Sequence, residues 1–381
     1  MSKAPLVFLD NNSTTELSQD TSSILMDIVL HNLYGNPSSR HEFGTRIKAI
    51  LAAARFGVAE SLGCSSAEII FTSGGTESNN LAIRGTYNPA VEQGRNIIIS
   101  AGEHSSVLYT AEAVAGEDMV VKIPLLSDGS LDLEAAKQLI TKDTALVSAM
   151  LANNETGVIF PIKEIVAIAH AKGALVHCDA VQAYGKIPVD VASLGVDLLS
   201  ISGHKVHALP GIGALYIRKG VLVHPTLAGG GQEFGLRAGT ENYIGIASLG
   251  ASANDIHLSK GTMESGLRDA FEVGVKKRVP DIVINGMDTS RLPNTSSITF
   301  KAIHVLAMLT ALEEEGVLAS AGSACASDSV RPSHTLSAMG LSDEDALSTV
   351  RFSFSKSSKM MDAATAIEAC VKCAKLLRDT E

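Results

Sequence analysis

The run Ser202-Gly-His-Lys205 follows a short apolar segment, Asp197-Leu-Leu-Ser-Ile201, which puts an amine just past a strand end. An upstream apolar segment, Ala174-Leu-Val-His-Cys178, ends in Asp179. A carboxylate at one strand end and a Ser-x-His-Lys at the end of the next is the layout that holds pyridoxal phosphate. The Lys205 amine forms a Schiff base with the cofactor aldehyde, and the carboxylate pairs with the pyridinium nitrogen. The charge on Asp179 keeps that nitrogen protonated, so the ring becomes a better sink for the electrons of a carbanion at a substrate Cα. Such a pair predicts an enzyme acting on an amino acid.

Other residues extend this chemistry. Thr72-Ser-Gly-Gly-Thr-Glu-Ser-Asn79 lies after a predicted strand and before a predicted helix. Its adjacent glycines, Gly75 among them, let backbone N–H groups approach one phosphate at a helix N-terminus, and Thr76 adds a hydroxyl. The pattern is neither GxGxxG nor a lysine-bearing phosphate loop, which disfavours a dinucleotide or nucleoside triphosphate. Ser202 and His204 are expected to meet the same phosphate. His104, just past a strand, is a candidate to stack on the ring and to act as acid or base. Gln182, one turn beyond Asp179, is a candidate donor to the ring hydroxyl. Asn154 is a candidate for the same oxygen or for the substrate carboxylate. Arg351, inside the apolar run Val-Arg-Phe-Ser-Phe354, wants an anion: a substrate α-carboxylate held by both guanidinium arms, or a structural ion pair. Cys325 has only small neighbours, Ala321-Gly-Ser-Ala-Cys-Ala-Ser327, and reads as a free thiol on a mobile loop rather than a core cysteine, a strong nucleophile when ionised but incidental if taken alone.

The elements that must position these residues follow from the hydrophobic pattern. From Glu68 to Ile217, short apolar runs alternate with longer amphipathic stretches. Strands are predicted over 69–72, 96–100, 120–123, 145–148, 174–177, 198–201 and 214–217. Helices are predicted over 46–62 and 162–172, closed by Gly63 and Gly173. Repeated strand–helix–strand order implies an α/β fold with a mainly parallel seven-stranded sheet, whose ligands bind at the C-terminal strand ends. Past Ser259 the pattern becomes that of a smaller α+β unit: helices over 261–279 and 302–315, strands over 282–285, 296–300 and 348–354, and a last helix. The expected division is a large domain over 16–259 and a small one built from 1–15 and 260–381, carrying the Cys325 loop.

The 381 residues are enough for two domains, and 45% hydrophobic content is ample for a sizeable core. A net charge of −10 argues against a general nucleic-acid surface. No run approaches the roughly 18 apolar residues of a membrane span, and the N-terminus lacks a long apolar stretch, so a cytoplasmic location is expected. Five cysteines are an odd count and not a disulfide framework. Cys370 and Cys373 have CxxC spacing, but they fall on one face of a predicted helix and no second half completes a metal site. No metal is expected.

Nearly end to end, the chain resembles a cysteine desulfurase of the NifS/IscS-like kind within the class V aminotransferase group. The segments that carry the resemblance include Leu9-Asp-Asn-Asn-Ser-Thr-Thr15, Tyr34-Gly-Asn-Pro-Ser-Ser-Arg-His41, Phe71-Thr-Ser-Gly-Gly-Thr-Glu-Ser-Asn-Asn80 and Gly102-Glu-His-Ser-Ser106. Further along they include Ala152-Asn-Asn-Glu-Thr-Gly157, His177-Cys-Asp-Ala-Val-Gln182, Ser202-Gly-His-Lys205, Leu236-Arg-Ala-Gly-Thr240 and Gly322-Ser-Ala-Cys325. The resemblance implies a fold type I pyridoxal phosphate transferase and a homodimer in which Thr240 reaches the phosphate of the partner's cofactor. It implies that L-cysteine becomes L-alanine while Cys325 receives the sulfur as a persulfide. That sulfur then passes to an acceptor protein for iron–sulfur clusters, another thio-cofactor or tRNA, possible acceptors including an iron–sulfur scaffold. Related readings are a selenocysteine lyase, an aminotransferase, or a non-catalytic sulfur-assembly partner.

The chain also departs from the family pattern. Val206-His-Ala-Leu-Pro-Gly211 stands where an aromatic-Gly-Pro-Lys-Gly stretch is usual. Ser355-Lys356 follows Arg351 where a Gly is common in the turn. Housekeeping members carry a C-terminal extension that contacts the scaffold, whereas this sequence ends at Glu381, soon after its last predicted helix.

Overall fold

Alternation of short apolar strands and amphipathic helices produces one central sheet. The structure, a computed structural model, describes residues 6–88, 92, 94–260, 263, 265–322 and 331–379. A short first strand β1 (Val7–Phe8) precedes the sheet. The sheet comprises β2 (Ile69–Thr72), β3 (Asn96–Ser100), β4 (Val120–Ile123), β5 (Thr144–Met150), β6 (Leu175–Asp179), β7 (Leu198–Ser202) and β8 (Gly213–Ile217). Its spatial order is β2-β8-β7-β6-β5-β3-β4. From β7 to β4 every pairing is parallel, and β8 runs antiparallel to both β7 and β2. The expected mainly parallel seven-stranded sheet is therefore present. Its strands are buried on both faces, which explains their continuous Ile, Leu and Val runs.

Helices α1 (Gln19–Leu30), α2 (Glu42–Leu62) and α3 (Gly75–Thr86) belong to this layer. Helix α2 begins a turn before the predicted start because the ring of His41 caps it, accepting from Gly44 N–H. It stops where predicted, at Gly63, whose φ of 70° is left-handed. The predicted helix over 302–315 is shorter, Val305–Glu314. Ala302 adopts a left-handed φ of 63°, and His304 caps the helix through its ring.

Behind the helices lie separate apolar cores. The largest gathers Leu62, Phe71, Val147, Val176, Leu199 and Leu249 around the sheet. Another joins Val7 and Leu9 to Phe271, Phe300, Phe352, Phe354 and the inward face of the helix Met360–Arg378. Around it run an antiparallel sheet of β9 (Ile282–Ile284), β10 (Thr295–Phe300) and β12 (Thr349–Ser353), and β11 (Val317–Leu318), which pairs with β1. The chain start thus pairs with a strand of the later half. Leu292, Leu336, Met339 and Ala346, however, pack into the large core from within the later segment. Cys370 and Cys373 are buried on the core face of the last helix. Among the described residues no helix is long and apolar enough to cross a membrane.

Strand register explains how the site assembles. Gly213, at the start of β8, pairs with Thr72 at the end of β2 and with Ser202 at the end of β7. The Gly-Gly turn after β2 and the Ser-Gly-His-Lys run after β7 are therefore brought side by side. A Cβ at Gly213 would lie 2.7 Å from the Gly74 backbone and 2.7 Å from Ile201 O. Gly213→Ala must push this junction open. It is expected to cost about 1–3 kcal/mol, read as a lowered midpoint of thermal unfolding; an unchanged midpoint would contradict the close packing described.

Candidate active site

The first turn of α3 follows Gly74, which has no side chain to cap the helix, so its leading N–H groups are left for another acceptor. Thr72 Oγ1 steadies the turn by bonding to Gly74 O (3.1 Å) and Ser78 Oγ (2.7 Å). A Cβ on Gly75 would meet Val181 Cγ2 at 2.8 Å and Ser202 Cβ at 3.5 Å. The absence of side chains at 74 and 75 thus keeps a cradle open beside Ser202, while Thr76 stands exposed at its rim.

Asp179 ends β6 with its side chain buried. Its carboxylate accepts from Asn79 Nδ2 (2.8 Å) on one oxygen and from Val181 N–H (2.9 Å) on the other. Asn79 also donates to Ser106 Oγ (2.9 Å), and Ser106 Oγ lies 2.7 Å from His104 Nδ1. Nδ1 also accepts from Ser106 N–H (3.1 Å), so the neutral ring carries its proton on Nε2. Burial lowers the proton affinity of His104, and the Lys205 charge adds to this against the opposing pull of Asp179. The imidazole is therefore neutral at neutral pH.

Lys205 closes the single turn Gly203–Lys205 after β7. Its Nζ donates to two backbone carbonyls, Asn12 O (2.6 Å) and Ser13 O (2.7 Å). His204 is half-buried with Nδ1 3.3 Å from Thr14 Oγ1, and burial pulls its pKa down to about 4. Gln182 is turned toward the same N-terminal segment: Nε2 donates to Asn12 O (2.9 Å), and Oε1 accepts from Lys186 Nζ (2.7 Å). Asn154 contributes its backbone oxygen, which accepts from Asn12 Nδ2 (3.2 Å) and from Arg351 Nη1 (3.1 Å).

Arg351 projects from β12 and is buried. Nη2 pairs with Asp10 Oδ1 (2.7 Å) and donates to Ser13 Oγ (2.8 Å). Nη1 also donates to Gly322 O (3.3 Å). The structural ion pair left open by the sequence is thus present, while Nε is buried with no hydrogen-bond partner among the described residues. Thr240 is exposed. Cys325 lies outside the described residues.

Sequence reasoning missed Asn79, Asp10, Asn12 and Lys186. Asn79 sits within the quoted glycine motif, and a polar side chain one helical turn past Gly75 was the available signal. Asn12 also falls in a quoted segment, but nothing local marks it as the residue that joins Lys205, Gln182, Lys186 and Asn154. Two of the departures from the family pattern converge. His207 and Ser355-Lys356 line one cavity of about 380 Å³ with Lys186 and Lys205. His207 adopts a left-handed φ of 67°, its Nδ1 lies 3.0 Å from Glu16 O, and Lys356 pairs with Asp255.

These residues fit pyridoxal phosphate. An uncapped helix start with glycines suits a phosphate, an oriented buried carboxylate suits a pyridinium, and an amine lies at the same sheet edge. Among the described residues no group of three or more His, Cys, Asp or Glu side chains is placed to hold a metal.

The electrostatics yield a test. Glu103, next to His104, is buried, and burial raises its pKa from 4.5 to about 8 even though Ser100 Oγ and Met150 N–H donate to it. A carboxyl with a raised folded-state pKa contributes stability that is full below its unfolded value and lost as pH rises through the folded one. Between pH 4.5 and about 8 the wild-type unfolding midpoint should therefore fall. Glu103→Gln should flatten that fall; identical pH profiles for the two proteins would contradict the assignment.

Comparison with known proteins places this geometry. The family described as Aminotransferase class-V matches residues 7–364. "Cysteine desulfurase 2" of Trichormus variabilis is 44% identical over 92% of this chain and 88% of that protein. "Cysteine desulfurase NifS" of Azotobacter vinelandii is 42% identical over 92% of this chain and 88% of that protein. Among solved structures, one described as "NIFS-LIKE PROTEIN" superposes with a TM-score of 0.89 at 34% identity, covering 98% of this chain and all of that one. Another, "SspA in complex with cysteine", gives a TM-score of 0.80 at 31% identity over 91% of this chain and 98% of its own. From glycine cradle to strand-end lysine, and along nearly its whole length, the chain belongs to the class-V aminotransferase family, alongside its cysteine desulfurases.

Proposed function

We propose that the protein is a pyridoxal phosphate-dependent cysteine desulfurase: L-cysteine and the Cys325 thiol become L-alanine and a Cys325 persulfide. The observation that carries this reading is the convergence of Lys205, Asp179 and the Gly74–Gly75 cradle at one sheet edge, in a chain more than 40% identical to proteins named for that activity. Pyridoxal phosphate, when bound, supplies the sink for the electrons left at the substrate Cα.

The residues divide the remaining work. Gly75, Thr76, Ser202 and His204 would hold the phosphate, and Asp179, oriented by Asn79, would pair with the ring nitrogen. Lys205 holds the cofactor and then takes the substrate Cα proton as a free amine. Neutral His104 would stack on the ring and give a proton to, or take one from, the reacting sulfur. Asn154 and Arg351 receive the substrate carboxylate, for which Arg351 Nε has no acceptor among the described residues. The Cys325 thiolate attacks the substrate sulfur. The C–S bond breaks, its electron pair stays on Cβ, and protonation of that carbon and of Cα releases alanine. No oxidant is consumed, because the substrate sulfur gains a bond to Cys325 as it loses one to carbon.

Several elements of the proposal extend beyond one chain. Exposed Thr240 is assigned to the cofactor phosphate of the partner subunit in a homodimer. Sulfur passes from Cys325 to an acceptor protein for iron–sulfur cluster, thio-cofactor or tRNA synthesis, and the cytoplasm is the proposed location.

Incubation with pyridoxal phosphate and L-cysteine, followed by peptide mass spectrometry, should show one added sulfur on Cys325, together with alanine and no second new amino acid. Cys325→Ser should keep the yellow cofactor and lose cysteine turnover. Undiminished sulfide release from that variant would refute the role of Cys325. Lys205→Ala should lose the visible absorbance of the covalently held cofactor.

A further inference from the structure

Lys186 is a buried amine to which the chemistry above gives no part. It follows the turns that carry the chain from Asp179 through Gly185, and only 6% of it is exposed. Its Nζ donates to Gln182 Oε1 (2.7 Å) and Asn12 Oδ1 (3.0 Å), both neutral amide oxygens. Burial, reinforced by the positive charges of Lys205 and Arg351, pushes its proton affinity well below the ordinary lysine range.

An amide has a donor end and an acceptor end, and a neighbouring lysine decides which end turns toward it. With Gln182 Oε1 turned to Lys186, Gln182 Nε2 faces Asn12 O, the carbonyl that also receives Lys205 Nζ. With Asn12 Oδ1 turned to Lys186 and Asn294 Nδ2, Asn12 Nδ2 reaches Asn154 O and Thr295 Oγ1. Asn12, whose carbonyl receives Lys205 Nζ, is thus held through its own amide and through Gln182, and Lys186 donates to the side-chain oxygen of each.

We propose that Lys186 is a positioning residue for Lys205: its amine holds the Gln182 and Asn12 amide oxygens, fixes through them the Asn12 carbonyl that receives the Lys205 nitrogen, and so holds that nitrogen ready to lose its proton. The inference rests on the assignment of Lys205 above. Without Lys186, Gln182 Oε1 loses its donor and Asn12 Oδ1 keeps only Asn294 Nδ2, so the Asn12 carbonyl is held less firmly, and an amine whose positive charge opposes a proton on the Lys205 nitrogen is lost. Loss of that charge favours the protonated form of the Lys205 nitrogen.

The test uses the cofactor-loaded enzyme. In Lys186→Met, kcat for L-cysteine should fall about tenfold or more while KM stays within about twofold, because the Arg351 clamp is untouched. The pH midpoint of the bound cofactor's visible absorbance, which reports the proton on the nitrogen joining Lys205 to it, should move up by about half a unit or more. Lys186→Gln, which keeps an N–H donor toward the two amides but removes the amine, should move the midpoint in the same direction; it carries the test if Lys186→Met does not fold. Unchanged midpoints, a loss confined to KM, or a lower kcat without the upward shift would overturn the proposal, since a merely structural role predicts the last of these. Failure of the wild type to bind the cofactor or form alanine would instead count against the assigned reaction.

Discussion

Two backbone carbonyls, those of Asn12 and Ser13, hold the Lys205 amine at 2.6 and 2.7 Å, and the rest of the site is arranged around that contact. It ties the end of a central strand to a segment nearly the whole large unit away in sequence. The same few residues bind onward to β12 through Ser353, to the loop after β5 through Asn154, and to β10 through Thr295. A loop carrying so many buried bonds is fixed by its neighbours rather than by its own propensity. Displacing it would unseat Lys205, Gln182 and Arg351 together.

Charge explains why that region is built mainly from amides and carbonyls. Lys205 and Arg351 act electrostatically on Lys186, and Arg351 is paired with the carboxylate of Asp10. Buried cations without full compensation are costly unless every proton finds an acceptor. The carbonyls of Asn12, Ser13, Asn154 and Gly322 supply those acceptors without neutralising the charge. A site that stays net positive on this side, with Asp179 on the other, suits an anionic phosphate and an amino acid carboxylate. Removing the ion pair to Asp10 would leave a buried guanidinium exposed to a penalty of about 3–5 kcal/mol, which is why that pair can be structural and still leave Nε for another acceptor.

Much of this arrangement was legible in the sequence, because local rules govern it. Apolar runs marked the strands, glycines at 63 and 173 marked helix ends, and polar residues just past strand ends marked the binding edge. The lysine, the aspartate and the glycine turn could be assigned because their chemistry needs those side chains at strand ends. What could not be read depends on register and distance. Asp10 and Asn12 meet Arg351 and Lys205 across hundreds of residues, and no local spacing announces such contacts. Gln182 was read by its distance from Asp179, yet its amide is turned toward the N-terminal segment by a lysine four residues on. The helix start at Val305 was displaced by a left-handed Ala302, a conformation that a residue with a Cβ rarely adopts and that the sequence gives no cause to expect. His207 presents the same difficulty.

The account comes down to which amine the cofactor joins, since Lys186 and Lys205 share one acceptor network. Borohydride reduction of the cofactor-loaded protein, followed by peptide mapping, would fix the bond permanently and locate it. The account predicts the reduced pyridoxyl group on Lys205 alone. A label on Lys186, or no label on either lysine, would contradict it.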